Sequence, residues 1–128
     1  MESEGLEKQF IEACGDGNIE VVEKLLQNPK INPNYHGDSW TPFYCACYNG
    51  RTEIVKLLLN DQRVDLNKAD YNGETPFFIA CYFGHIELVK LLLNDKRVDI
   101  NKPNKNGQTP FYVACFYGRT EIVKLLLN

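Results

Sequence analysis

Five cysteines are the residues of this chain with the most obvious chemistry. Cys45 and Cys47 flank one alanine in "SWTPFYCACYNG", while Cys14, Cys81 and Cys115, like Cys47, each follow an alanine directly. A thiolate can ligate zinc, attack an electrophile or pair as a disulfide, and each use makes a geometric demand. Structural zinc wants four ligands, usually two close pairs of the C-x2-4-C kind, and no such pairs occur here. A cysteine nucleophile needs a histidine base within hydrogen-bond reach. The two histidines are His36, in a loop, and His85, directly after a glycine, and neither forms a cysteine–histidine arrangement. The glycines punctuate turns and helix ends and do not gather into a phosphate-binding loop. No catalytic residue, metal site or cofactor is expected.

Bulk properties narrow the classes further. The chain has 128 residues, 44% of them hydrophobic, which corresponds to about one domain. Lys+Arg 14 against Asp+Glu 17 leaves a net charge of −3 without a basic block, so nucleic acid is not an expected partner. The start, "MESEGLEKQF", is acidic and lacks the basic, then apolar, pattern of a signal peptide. No stretch approaches the ~18 apolar residues of a membrane span. A soluble protein without a membrane partner is expected. Unpaired thiols suit a reducing compartment, the cytoplasm or nucleus.

The elements that must position these residues are visible as repetition. Thr-Pro occurs at Thr41, Thr75 and Thr109, a period of 34 residues, within "TPFYCACYNGRTEIVKLLLN", "TPFFIACYFGHIELVKLLLN" and "TPFYVACFYGRTEIVKLLLN". A divergent copy, "KQFIEACGDGNIEVVEKLLQ", precedes them. Each copy reads as two short helices. The threonine caps the first, with proline at its first position, and glycine ends it. The second opens near Thr52 or its equivalent, and its apolar Ile54, Val55, Leu57, Leu58 and Leu59 leave only Glu53 and Lys56 for solvent. The pairs Asn72–Gly73 and Asn106–Gly107 predict tight hairpin-like turns between units. The units run approximately over residues 6–39, 40–73, 74–107 and 108–128, the last truncated, as one domain across 1–128.

These motifs, recurring in register, resemble ankyrin repeats across essentially the whole chain. The resemblance implies an all-α solenoid of four helix pairs joined by hairpin-like loops, and a non-enzymatic protein-interaction module, adaptor or scaffold. Two departures from the familiar pattern stand out. Aromatics replace both Leu and His of the usual Thr-Pro-Leu-His, and the loop is one residue longer and lacks its usual glycine. Asn60 or Asn94 is therefore expected to take the left-handed cap. In such a solenoid each unit buries its faces against its neighbours, and end units carry polar outer faces. Glu12 and Lys24 stand where later units have Cys45 and Leu57, which marks the first unit as a cap. The closing "TEIVKLLLN" carries no equivalent polar substitution. It reads as an end cut from a longer array, or one covered by a partner or by a second copy through weak self-association.

By register, Cys14, Cys47, Cys81 and Cys115 form a column along the stack. Adjacent helices pack ~8–10 Å apart, beyond the ~7 Å reach of a disulfide, and Cys45 and Cys47 point to different faces. Small buried hydrophobes are the expected role. Phe43, Phe77 and Phe111 are expected in the core, with Tyr44, Phe78 and Tyr112 mostly packed.

The resemblance places partner contacts at the turn tips and on the exposed side of the first helices, lining a concave groove. The tip positions are Asp38 and Trp40, then Tyr71, Asn72 and Glu74, then Lys105, Asn106 and Gln108. The helix positions are Tyr48 and Asn49, Tyr82 and Phe83, and Phe116 and Tyr117. Aromatic residues at five of these six helix positions read as a docking surface for a protein or peptide partner, or as rings stacked between units for stability alone. The alternative function is a structural spacer within a longer repeat protein whose activity lies outside this chain.

Overall fold

The computed structural model describes the backbone of residues 2–36 and 40–128, with side chains from residue 5 onward. Eight helices follow in order: α1 (Glu2–Asp16), α2 (Ile19–Leu26), α3 (Pro42–Tyr48), α4 (Thr52–Leu59), α5 (Pro76–Phe83), α6 (Ile86–Leu93), α7 (Pro110–Phe116) and α8 (Thr120–Leu127). Odd-numbered helices stack on one another in one layer and even-numbered helices in a second, with each pair packed internally. Among the described residues none is in a β-strand, and no helix is long and apolar enough to cross a membrane.

Local chemistry sets the helix starts. Thr41, Thr75 and Thr109 are extended, and their hydroxyls each accept the backbone N–H three residues on, at 3.1 Å, with proline next in line. Because Thr75 is buried, losing its hydroxyl strands the Phe78 N–H away from water. Thr75→Ala is expected to lower stability by about 1–2 kcal/mol, and Thr75→Ser by clearly less, in urea unfolding followed by circular dichroism.

Helix ends depart from expectation at one place. Asn60 and Asn94 are both right-handed, with φ −82°, and every residue with positive φ among those described is a glycine. The backbone after α4 and α6 instead closes by short bonds, Asn60 N–H to Leu57 O and Asp61 N–H to Leu58 O, so no left-handed residue is needed. The longer loop absorbs the reversal, held by Arg63, whose guanidinium donates to the carbonyls of Leu26, Asn28 and Ile31 in the preceding unit. Arg97 repeats the latch on Leu59 O at 2.7 Å. The carboxylates of Asp61 and Asp95 grip these arginines and are held below the ordinary aspartate range by them. Asn34 and Asn67 add a second link, each bonding backbone of the next loop through both ends of its amide.

The core is the seam between layers and units: Phe10, Phe43, Phe77, Ile54, Leu58, Leu88, Leu92 and Ile122 are essentially buried. Three positions in the last helix pair correct the register-based reading. Phe111 is 40% exposed and Tyr112 48%, whereas their equivalents Phe77 and Phe78 are 0% and 1%. Cys115 is exposed while Cys14, Cys45, Cys47 and Cys81 are buried. The reason is common to all three: α5 is sandwiched between α3 and α7, whereas α7 packs on α5 and α8 and, among the described residues, no further helix pair lies on its other side. At the other end, Glu12 and Lys24 lie exposed.

Candidate functional site

The turns between units carry the tip residues. In the turn at residues 70–74, Asp70 O accepts Gly73 N–H at 3.0 Å, and Asp70 Oδ1 accepts the N–H groups of Asn72 and Glu74, both at 2.9 Å. Asn104 builds the same turn, its Oδ1 accepting from Asn106 and Gln108 at 3.0 and 2.9 Å. The Asn-Gly pairs therefore form the last two positions of a four-residue turn and not the two centres of a primed hairpin turn. Gly73 has φ +77°, and a Cβ there would sit 3.0 Å from Lys105 N. That nitrogen donates to Asn72 O at 2.9 Å, so successive tips touch.

The first helices end in aromatic residues just before each reversal, and their rings form one strip. Trp40 lies on Tyr44 and Tyr48, with centroids 4.9 and 4.8 Å apart. Tyr48 meets Phe83 edge-on at 4.7 Å, Phe83 meets Tyr82 at 4.9 Å, and Tyr82 meets Tyr117 at 4.8 Å. Phe116 closes the strip against Tyr117 at 5.0 Å. Such pairs are favourable beyond their area burial. The rings differ in exposure: Trp40 is 36% exposed, Tyr117 46% and Phe116 68%, while Tyr48, Tyr82 and Phe83 are half-buried.

Strip and turns enclose two hollows one unit apart. The larger, about 290 Å³, is lined by Trp40, Tyr44, Tyr48, Asp70, Asn72, Glu74, Ile79, Tyr82 and Phe83. The smaller, about 140 Å³, is lined by Glu74, Phe78, Tyr82, Gln108, Tyr112, Val113, Phe116 and Tyr117. Two other clefts, about 270 and 260 Å³, open at the starts of the second helices. They repeat with the period around residues such as Arg51 and Arg119 and contain no aromatic ring, as grooves between stacked units would.

The electrostatics of the larger hollow are uneven. Tyr44 donates its hydroxyl to Asp70 Oδ2 at 2.6 Å, and burial first, then this bond, push that hydroxyl's pKa well up, so the proton stays on the tyrosine. Glu74 receives a long contact, 3.4 Å, from Asn104 Nδ2 and lies beside the Asp70 side chain. Burial and the nearby Asp70 charge raise its pKa above the ordinary glutamate value. The cysteines have no part here. Burial pushes the thiol of Cys45 up to about 11 and that of Cys81 to about 12, the reverse of what a nucleophile needs. Among the described residues, no three His, Cys, Asp or Glu side chains are grouped to hold a metal.

Of the residues singled out by sequence, Trp40, Tyr48, Asn72, Glu74, Tyr82 and Phe83 share the larger hollow. Gln108, Phe116 and Tyr117 line the smaller. Tyr71, Lys105 and Asn106 are exposed at the tips and line neither. Asn49 is exposed and its amide bonds back to Cys45 O on its own helix, and Asp38 lies outside the described residues. Sequence reading passed over Asp70 and Tyr44 as site residues. The exchange of Asp70 and Glu74 for Asn104 and Gln108 at equivalent positions was the available signal.

Residues 10–104 and 63–128 match a family model described as ankyrin repeats in three copies. Among curated proteins, the chain is 42% identical over 64 residues to cortactin-binding protein 2 of Rattus norvegicus, covering 48% of this chain and 4% of that protein. It is 44% identical over 48 residues to 26S proteasome non-ATPase regulatory subunit 10 of Dictyostelium discoideum, covering 37% and 21%. Tyrosine-protein kinase HTK16 of Hydra vulgaris is 35% identical over 72 residues, covering 54% and 9%. The chain thus spans no more than about a fifth of the length of these relatives.

Proposed function

Because the chain belongs to the ankyrin-repeat family, a protein–protein interaction module, we propose that it is a non-enzymatic adaptor that binds a protein or peptide partner along the groove between its turn tips and first helices. One observation carries this reading: the aromatic strip runs unbroken from Trp40 to Phe116 across three units while remaining partly exposed, on the side the turns overhang. Large, rigid rings give contact area at low entropic cost. The relatives' names, a cortactin-binding protein, a proteasome subunit and a tyrosine kinase, point to different settings for the matched segment. That diversity supports a scaffold whose partner is chosen by surface residues and not by the fold. The free thiols, four of them buried, support a reducing compartment, cytoplasm or nucleus.

Peptides selected from a displayed library against the chain provide the test. A Trp40→Ala/Phe116→Ala/Tyr117→Ala variant is expected to bind them at least about thirtyfold more weakly, the loss of roughly one interface hot spot. An Ile19→Ser/Ile86→Ser control, which removes exposed apolar residues elsewhere, should change affinity less than about twofold. Equal loss in both variants would sink the groove reading. The exposed Phe111, Tyr112 and Leu127 favour a second reading. There the last helix pair packs on a further unit or copy and the chain is a spacer, and binding insensitive to the strip supports it.

A further inference from the structure

The larger hollow carries charge that its fold does not require. The turn at residues 104–108 closes with the same hydrogen bonds as the turn at residues 70–74, using the amides Asn104 and Gln108 where the earlier turn has Asp70 and Glu74. Backbone bonding is matched, so the turn itself does not require the two carboxylates; Asp70 differs from Asn104 in also accepting the Tyr44 hydroxyl, where the next unit has Phe78. Asp70 is compensated by two N–H groups and the Tyr44 hydroxyl. Glu74, half-buried, has a long amide contact from Asn104 and the like-charged Asp70 side chain beside it, and among the described residues no cation pairs with it. A carboxylate withdrawn from water and left under-compensated favours a positive partner.

The walls are complementary to the same partner. Rings of Trp40, Tyr48, Tyr82 and Phe83 bound the hollow, and no Lys, Arg or His is among its lining residues. Aromatic walls beside a carboxylate attract an organic cation through the ring quadrupole and through charge, and more strongly as the site is desolvated. A volume of about 290 Å³ accommodates the end of a long side chain. We propose that this hollow binds one cationic side chain, lysine or arginine, of a basic peptide segment of the partner. This deepens the interaction-module reading and rests on it.

Trp40 is the chain's one tryptophan and a wall of the site, so its emission reports occupancy. The probes are eight-residue peptides alternating glycine with arginine or with lysine, and a glutamine-for-arginine version as the neutral arm. The basic peptides are expected to shift Trp40 emission saturably, and the neutral one not at all. Asp70→Asn/Glu74→Gln should weaken binding about tenfold or more while remaining folded, because the equivalent turn already folds with those residues; its melt falls only by what loss of the Tyr44–Asp70 bond costs, which Tyr44→Phe measures separately. Glu53→Gln/Glu87→Gln removes the same charge from exposed sites on α4 and α6, and should weaken binding less than about twofold. Equal weakening by the two pairs, or no response of Trp40 to either basic peptide, overturns the proposal. If library-selected peptides nonetheless depend on the strip, the cation site falls and the interaction module stands.

Discussion

Phe77→Ala is expected to lower the unfolding free energy by about 3–5 kcal/mol, and Phe111→Ala, the same change one unit on, by only about 1–2 kcal/mol. The two residues have the same sequence context, "TPF", and the same place on the first helix of their units. Phe77 is 0% exposed, enclosed between layers and neighbouring units, so truncation removes its apolar area from the core and leaves a void that close-packed surroundings fill only in part. Phe111 is 40% exposed; truncation there forfeits part of a contact but leaves no enclosed cavity. Urea unfolding of both variants beside the parent measures the difference. Losses equal within about 0.5 kcal/mol would contradict the burial gradient toward α7.

Gly50→Ala is expected to cost about 2–3 kcal/mol, against about 1–2 kcal/mol for Gly118→Ala. Both glycines have φ +67°, so both substitutions place a Cβ in the left-handed region at the same intrinsic penalty. The surroundings differ. A Cβ at residue 50 would stand 2.9 Å from His85 Cε1 and 3.0 Å from Nδ1, whereas at residue 118 it would meet nothing within 4 Å. His85 Nε2 lies 3.2 Å from Tyr48 O. A carbonyl only accepts, so that nitrogen carries the proton and caps the end of α3. Displacing the ring loses this bond along with the contact over Gly50. Arg51 and Arg119 reach back in the same way to Gly15 O and Tyr82 O, which explains why the residue after the glycine is basic or His in these units. His85→Ala added to Gly50→Ala should remove the steric part of the cost, leaving a double variant more stable than additivity predicts. Strict additivity in thermal melts would show that the ring does not constrain Gly50.

Much of this protein was determined by sequence alone. Thr-Pro followed by a glycine-terminated apolar segment is a self-contained instruction, because the cap, the first-turn proline and the reversal act over a few residues. Repetition of that text at 34 residues then dictates stacked helix pairs, since no single pair can bury its own apolar faces. The aromatic positions before each glycine could be placed on one side for the same periodic reason. Tertiary structure decided what equivalence of register cannot express. Phe111, Tyr112 and Cys115 read identically to their buried counterparts, yet burial depends on the neighbour that covers a face and not on the residue that carries it. The caps at Asn60 and Asn94 likewise hinged on how the loop closes, with Arg63 and Arg97 supplying bonds to the preceding unit across more than thirty residues. The pairing of Glu74 with the rings of the preceding and following helices arises only when units stack, because the hollow belongs to the interface between repeats and to no repeat by itself.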